Sequence, residues 1–171
     1  MKIQLRPIRE DELDMVRVIA RDPAYAPGNW YGFRPVAGLA KEFAENGFLG
    51  EDVGRLAVEV DGEAAGIVSY LKGRYSVRGD WYDIGIALKP EFRGRGIGWR
   101  AQAMVTDYVF AHWPVERVQA ATQPENIAEQ KALLKAGFQL EGVVRAAEFR
   151  AGAWRDSLLY SRLRHDPAPE Y

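Results

Sequence analysis

Alternating apolar and polar residues at Ile3-Gln4-Leu5-Arg6 predict a short first strand. The period then becomes helical. Leu13, Val16 and Ile19–Ala20 recur on one face of Glu10–Arg21, acids stand in its first turn, and Asp22-Pro23 ends it. Tyr25–Phe33 mixes aromatics with Gly and Pro, which predicts a shaped loop. Pro35 can open a second helix carrying Leu39 and Phe43, stopped by Asn46-Gly47. Two apolar runs, Arg55–Val60 and Ala64–Leu71, flank Asp61-Gly62 and predict a hairpin. Polar Lys72–Asp80 reads as a loop before a third long strand, Trp81–Leu88. The charged, glycine-rich turn Lys89–Gly98 then enters a helix running to about His112, with Ala101, Met104, Val105, Tyr108 and Val109 on one face. A strand at Val118–Thr122 follows, then an amphipathic helix, Asn126–Ala136, closed by Gly137. Gly142–Arg150 and Ala153–Arg164 read as two strands around Ala151-Gly152, and 166–171 as a flexible tail. No repeat or linker interrupts this order, so one mixed α/β domain over 3–165 is expected.

Composition narrows the class. The 171 residues suit one domain, and 47 % apolar content supplies a core. Lys plus Arg number 23 against 24 Asp plus Glu, which argues against nucleic acid or a membrane surface as partner. Cysteine is absent and the histidines are two, His112 and His165. Disulfides, thiolate metal sites, a cysteine nucleophile and a histidine-rich metal site are thereby excluded, and no metal is expected. No apolar run approaches the ~20 residues that span a bilayer. The first residues turn polar too soon for a signal peptide, so a cytoplasmic location is expected.

Candidate chemistry concentrates in Leu88-Lys89-Pro90-Glu91-Phe92-Arg93-Gly94-Arg95-Gly96-Ile97-Gly98-Trp99. The segment leaves a strand and enters a helix, which gathers backbone N–H groups at a helix N-terminus suited to phosphate. A dinucleotide G-x-G-x-x-G fails at Trp99, and no Walker Gly-Lys-Ser/Thr is present. What remains is Arg93-x-x-Gly96-x-Gly98. That pattern resembles the GNAT superfamily of acyl-CoA-dependent N-acyltransferases. Asp83–Arg93 is similar to the family's fourth strand and its run into the loop. Asn126-Ile127-Ala128 and Lys135-Ala136-Gly137-Phe138 are similar to the two ends of its asparagine-bearing helix. Glu141-Gly142 and Gly152-x-Trp154-x-Asp156-x-x-x-Tyr160 resemble the RimJ/RimL-like branch, whose best-known members acetylate protein N-termini.

The resemblance implies a GNAT fold: a single mixed central sheet with a splayed strand pair, flanked by about four helices. It implies transfer of the acetyl group of acetyl-CoA to a primary amine by direct attack. In this family the loop, here Arg93, Gly94, Arg95, Gly96, Ile97, Gly98 and Trp99, holds the pyrophosphate. The pantetheine arm lies along Ile86, Ala87 and Leu88, where the strands matching Ile84–Leu88 and Val118–Thr122 part. Asn126 is a candidate contact to it, and following Pro124-Glu125 it also suits a helix N-cap. Asp83, on the face of Gly85 and Ala87 by alternation, is the candidate to take the amine's proton through water. The family's usual proton donors are missing: Leu133 fills the tyrosine slot and Glu129 the serine slot. Glu129 qualifies only with a raised pKa, and Tyr160 is a further candidate. Trp30, Tyr31, Phe33 and Tyr82, with Phe149 and Trp154, are expected around an acceptor that is a protein N-terminus or a small-molecule amine. Homodimers are common in the family, and nothing in this sequence requires one. The alternative is a catalytically silent acyl-CoA-binding sensor or scaffold.

Overall fold

The computed structural model describes residues 1–26 and 30–171, so 27–29 of the expected Tyr25–Phe33 loop lie outside the described residues. The strands are β1 (Ile3–Arg6), β2 (Val53–Val60), β3 (Glu63–Arg74), β4 (Asp80–Leu88), β5 (Arg117–Thr122), β6 (Gln139–Arg150) and β7 (Ala153–Leu163). The helices are α1 (Leu13–Arg21), α2 (Leu39–Asn46), α3 (Ile97–His112) and α4 (Ile127–Lys135). The strands form one sheet in the order β1-β2-β3-β4-β5-β7-β6. The β4–β5 pair is parallel and the other pairs are antiparallel, so the sheet is mixed as expected.

Both long hairpins turn where the chain offers left-handed backbone. Asp61 and Gly62 have φ of 50° and 93°, and Ala151 and Gly152 have 50° and 78°. Two successive positive φ values match the right-handed twist of the flanking strands. The sheet is covered on both faces. Val58, Val68, Ile84 and Val118 pack against Ala101, Val105 and Val109 of α3 and Leu133 of α4. Ala57 and Ile67 face the other way, under Leu13 and Val16 of α1 and Leu39 and Phe43 of α2. Double coverage explains why β2 is a nearly unbroken apolar run.

Several boundaries differ from expectation. The Glu10–Arg21 helix opens as a 3-10 turn, Glu10–Glu12, where Arg6 of β1 bonds both Glu12 and Glu59. Helix α2 begins at Leu39 rather than Pro35, because Val36 is buried and its carbonyl closes a turn with the Leu39 N–H. The loop expected at Lys72–Asp80 shrinks to 75–79. Lys72 pairs with Glu51 and Asp80, and Arg74 pairs with Asp80, so polar residues continue the ladder. Helix α3 is buried beyond one face, at Gln102, Ala103 and Thr106.

Two features shape the site. The parallel β4–β5 ladder has two rungs, Tyr82↔Val118 and Asp83↔Gln119, after which the strands part. Gly66 lets β3 press against the free end of β4: a Cβ there would lie 2.1 Å from the Ala87 carbonyl oxygen and 2.8 Å from Leu88 Cα. At the chain's end, Tyr171 Oη donates to Asp107 of α3, which also accepts from Arg162 of β7.

Candidate active site

The strand-to-helix segment leaves backbone N–H groups unpaired, a geometry suited to an anion. A 3-10 turn at Pro90–Phe92 follows β4, with Phe92 buried beneath the Arg95 guanidinium. Arg93 Nε donates to the Leu88 carbonyl at 3.0 Å, which pins the turn to the strand end. Gly94 and Gly96 have φ of 70° and 74°, and Gly96 caps α3 with no side-chain acceptor. The first N–H groups of this 16-residue helix therefore have no intrahelical or capping partner. Ile97 sends its side chain into the core, and Trp99 stacks under Arg100, whose NH1 donates to the Gly96 carbonyl.

A cavity of about 530 Å³ begins at Arg93 and Gly94 and follows Ile84–Leu88 along the parted edge of β4. Ala120, Ala121 and Thr122 of β5 form the opposite lip, with Asn126 and Glu129 of α4 beside them. It ends against Ile19, Tyr25, Trp30 and Tyr31. Asn126 caps α4, its Oδ1 accepting the Glu129 N–H at 3.2 Å, and it lines the cavity as well. Tyr31 donates to Glu148 of β6, and burial followed by that carboxylate pushes its phenol up to about 12. Trp30 and Tyr31 also border a second space of about 480 Å³ with Phe149 and Arg150.

The two candidate carboxyls both titrate upward. Burial pushes Glu129 up to about 7. Gln102, buried on α3, offsets part of that rise, although its Nε2 makes no hydrogen bond of ordinary geometry. Burial alone pushes Asp83 up to about 6, and its Oδ1 is enclosed without a partner among the described residues. Asp83 sits on the last rung before the strands part and shares a face with Gly85, but it does not line the cavity.

This enclosure has a stability consequence. The folded state disfavours ionised Asp83 by roughly 2–3 kcal/mol. The penalty is absent below about pH 4, grows as pH rises and is complete somewhat above pH 6. Asp83→Asn should therefore raise the melting temperature at pH 8 and leave it unchanged at pH 4. Melting curves at the two pH values check this, and an equal shift at both would contradict it.

Several expected site residues lie away from the cavity. Tyr82 is on the α3 face of β4, wholly buried, with its Oη donating to the Glu51 carbonyl and its ring against Tyr70 and Trp113. Strand alternation sends it away from the acceptor wall. Tyr160 points to the same core from β7 and does not reach the cavity. Phe33 is 82 % exposed, edge-on to Trp30, and lines neither space. Arg95, Gly96, Ile97, Gly98 and Trp99 carry the turn into α3 and do not line the cavity, and Trp154 meets Phe149 edge-on at the hairpin tip. Arg34, Arg55 and Ser69, not among the expected site residues, also line the cavity. An arginine inside the apolar run of β2 was the available signal for Arg55.

An edge-parted mixed sheet with an anion-ready helix start defines the acyl-CoA acyltransferase architecture. Residues 2–139 match the family described as Acetyltransferase (GNAT) domain, and the chain belongs to that family. It is 34 % identical over 83 residues to the probable N-acetyltransferase YjcK of Bacillus subtilis (strain 168), covering 48 % of this chain and 46 % of that protein. It is 27 % identical over 117 residues to the spermidine N(1)-acetyltransferase of Escherichia coli (strain K12), covering 68 % of this chain and 62 % of that protein. The match thus spans about half to three fifths of these relatives' length. Among solved structures, the fold is similar to spermidine N-acetyltransferase from Vibrio cholerae in complex with CoA and spermine. The TM-score is 0.79 at 18 % identity, with 96 % of each chain covered. It is also similar to phosphinothricin acetyltransferase from Sinorhizobium meliloti in complex with AcCoA, with a TM-score of 0.76 at 21 % identity over 95 % of this chain and 89 % of that one.

Proposed function

We propose that the protein is an N-acetyltransferase that moves the acetyl group of acetyl-CoA to a primary amine by direct attack. The observation that carries this reading is one continuous cavity, from the left-handed Gly94 turn, along the parted edge of β4, to the aromatic wall at Trp30 and Tyr31. The residues present fit acetyl-CoA, since the uncapped start of α3 suits a diphosphate and the edge of β4 suits an amide-bearing arm. Bound there, acetyl-CoA supplies an activated acyl group.

The chain's residues do the remaining work. The α3 amides and the β4 edge fix the donor, leaving the acceptor to approach from the Trp30 side. An alkylamine is mostly ammonium at neutral pH, so one proton must leave before attack. Asp83 takes that proton through water along the Gly85 face. As the N–C bond forms and the C–S bond breaks, sulfur keeps the electron pair and Glu129 donates its proton to it. A second proton leaves the nitrogen for solvent.

The Gly152-x-Trp154-x-Asp156 hairpin supports a protein N-terminus as acceptor, in the manner of the RimJ/RimL-like branch. The spermidine acetyltransferase relatives support a small free amine. A cytoplasmic setting suits either. Calorimetry with acetyl-CoA, followed by thiol release on adding amines, tests the reading. Binding and amine-dependent release are expected. Absence of binding would end it, and binding without release for any amine would return the protein to a silent acyl-CoA module.

A further inference from the structure

The acceptor half of the cavity has a charge of its own. Arg55, Ser69 and Gly85 stand in register across β2, β3 and β4, on the sheet face opposite α3. At the usual strand spacing, Arg55 Cα lies about 10 Å from Gly85 Cα, a gap an arginine side chain largely bridges. Ser69 leans over Gly85: a Cβ on that glycine would lie 3.0 Å from the Ser69 Oγ. Arg55 NH1 donates to Glu42 at 2.8 Å and its guanidinium lies 5.1 Å from the Phe48 ring centroid. These contacts hold the side chain and leave its Nε and NH2 donors unused among the described residues. Arg34 lines the same cavity and forms no ion pair among the described residues. Glu129, the one carboxylate among the described lining residues, belongs to α4 near the cofactor side.

We propose that the acceptor is a small amine that also carries a carboxylate near its amino group, as a free amino acid does. Arg55 and Arg34 bind the carboxylate, and Ser69 adds a hydroxyl. The proposal rests on the acetyltransferase reading above and narrows its substrate. Guanidinium groups recognise carboxylates through paired N–H donors. A polyamine would bring several cations against two guanidinium groups, while the nearby Glu42 and Glu148 are engaged by Arg55 and Tyr31 and do not line the cavity, so the same residues select against it. Ile19, Tyr25 and Trp30 supply an apolar wall for the remainder of the molecule.

The test is thiol release from acetyl-CoA with the standard L-amino acids, their α-carboxamides and spermidine. It is run on the wild type, Arg34→Gln and Arg55→Gln, with acetyl-CoA binding measured calorimetrically in each protein. A carboxamide's amine is the weaker base, so more of it is deprotonated at neutral pH, and a preference for the free acid reports the carboxylate. For at least one amino acid, kcat/KM is expected to be about tenfold or more above its amide and above spermidine. Each variant is expected to raise KM for that acid about tenfold, far more than for its amide, while acetyl-CoA binding persists. Arg34 has no ion pair to lose, so its variant keeps the test valid should Arg55→Gln unfold. Spermidine or amides as the best acceptors, or equal effects of the variants on acid and amide, would overturn the proposal and leave the acetyltransferase reading standing. No release with any of these amines or with a peptide bearing a free N-terminus, despite acetyl-CoA binding, would overturn both.

Discussion

Glu129→Gln is expected to lower kcat about a hundredfold at neutral pH, the usual contribution of a positioned general acid, with little change in the KM for acetyl-CoA. The expectation comes from placement and burial together. Glu129 lines the cavity beside the parted strands, and burial holds its carboxyl up to about 7, so much of it keeps a proton to give at neutral pH. The pH profile carries the sign. An acid acts while protonated, so the wild-type kcat should rise on the acid side as amine is deprotonated and level off above about pH 7, where loss of protonated Glu129 offsets the growing share of free amine. The glutamine variant should lose that levelling and keep rising with pH toward the amine's own pKa. Its fold should not suffer, because ionised Glu129 is disfavoured when buried and that penalty, complete above about pH 7, disappears with glutamine. A melting curve at pH 8 thus separates lost chemistry from lost structure. A kcat within twofold of wild type would remove Glu129 from the mechanism.

Gly96→Val should raise the KM for acetyl-CoA about ten- to a hundredfold and leave a folded protein. Two effects decide the size. Gly96 has φ of 74°, where a β-branched residue is strained by roughly 1–2 kcal/mol. A Cβ would also lie 2.9 Å from Arg100 NH1 and 3.4 Å from Trp99 Nε1, both side-chain atoms that can move. The protein tolerates that strain, but relief of it turns the first amides of α3 away from the diphosphate. Gly98→Ala is the control. Its backbone is ordinary, and its Cβ would meet Leu88 and Ile86 side chains at 3.9 and 4.0 Å, so near-wild-type KM is expected. Unchanged acetyl-CoA affinity in Gly96→Val would detach the loop from the donor.

The parts of the site readable from the chain are those made by neighbours in sequence. Arg93 to Gly98 form their turn through their own dihedrals and a helix start, and Asn126 caps the helix it precedes. Glu129 could be named as a slot, but its raised pKa comes from burial in the folded protein, only partly offset by Gln102 of α3 across the fold. Tyr82 shows the opposite failure. It adjoins Asp83 in sequence and is expected at the acceptor wall, yet alternation sends neighbours on a strand to opposite faces. Arg55 and Ser69 read as ordinary strand positions until β2, β3 and β4 lie side by side.

Local chemistry alone therefore settled the order of strands and helices, the hairpin turns at Asp61-Gly62 and Ala151-Gly152, and the left-handed bend before α3, because each depends on dihedrals and hydrogen bonds within a few residues. Three-dimensional packing decided which side chains share the cavity, how strongly Asp83 and Glu129 hold their protons, and that two arginines line the cavity. Those properties depend on desolvation and on distances between residues far apart in the chain, which no local pattern encodes.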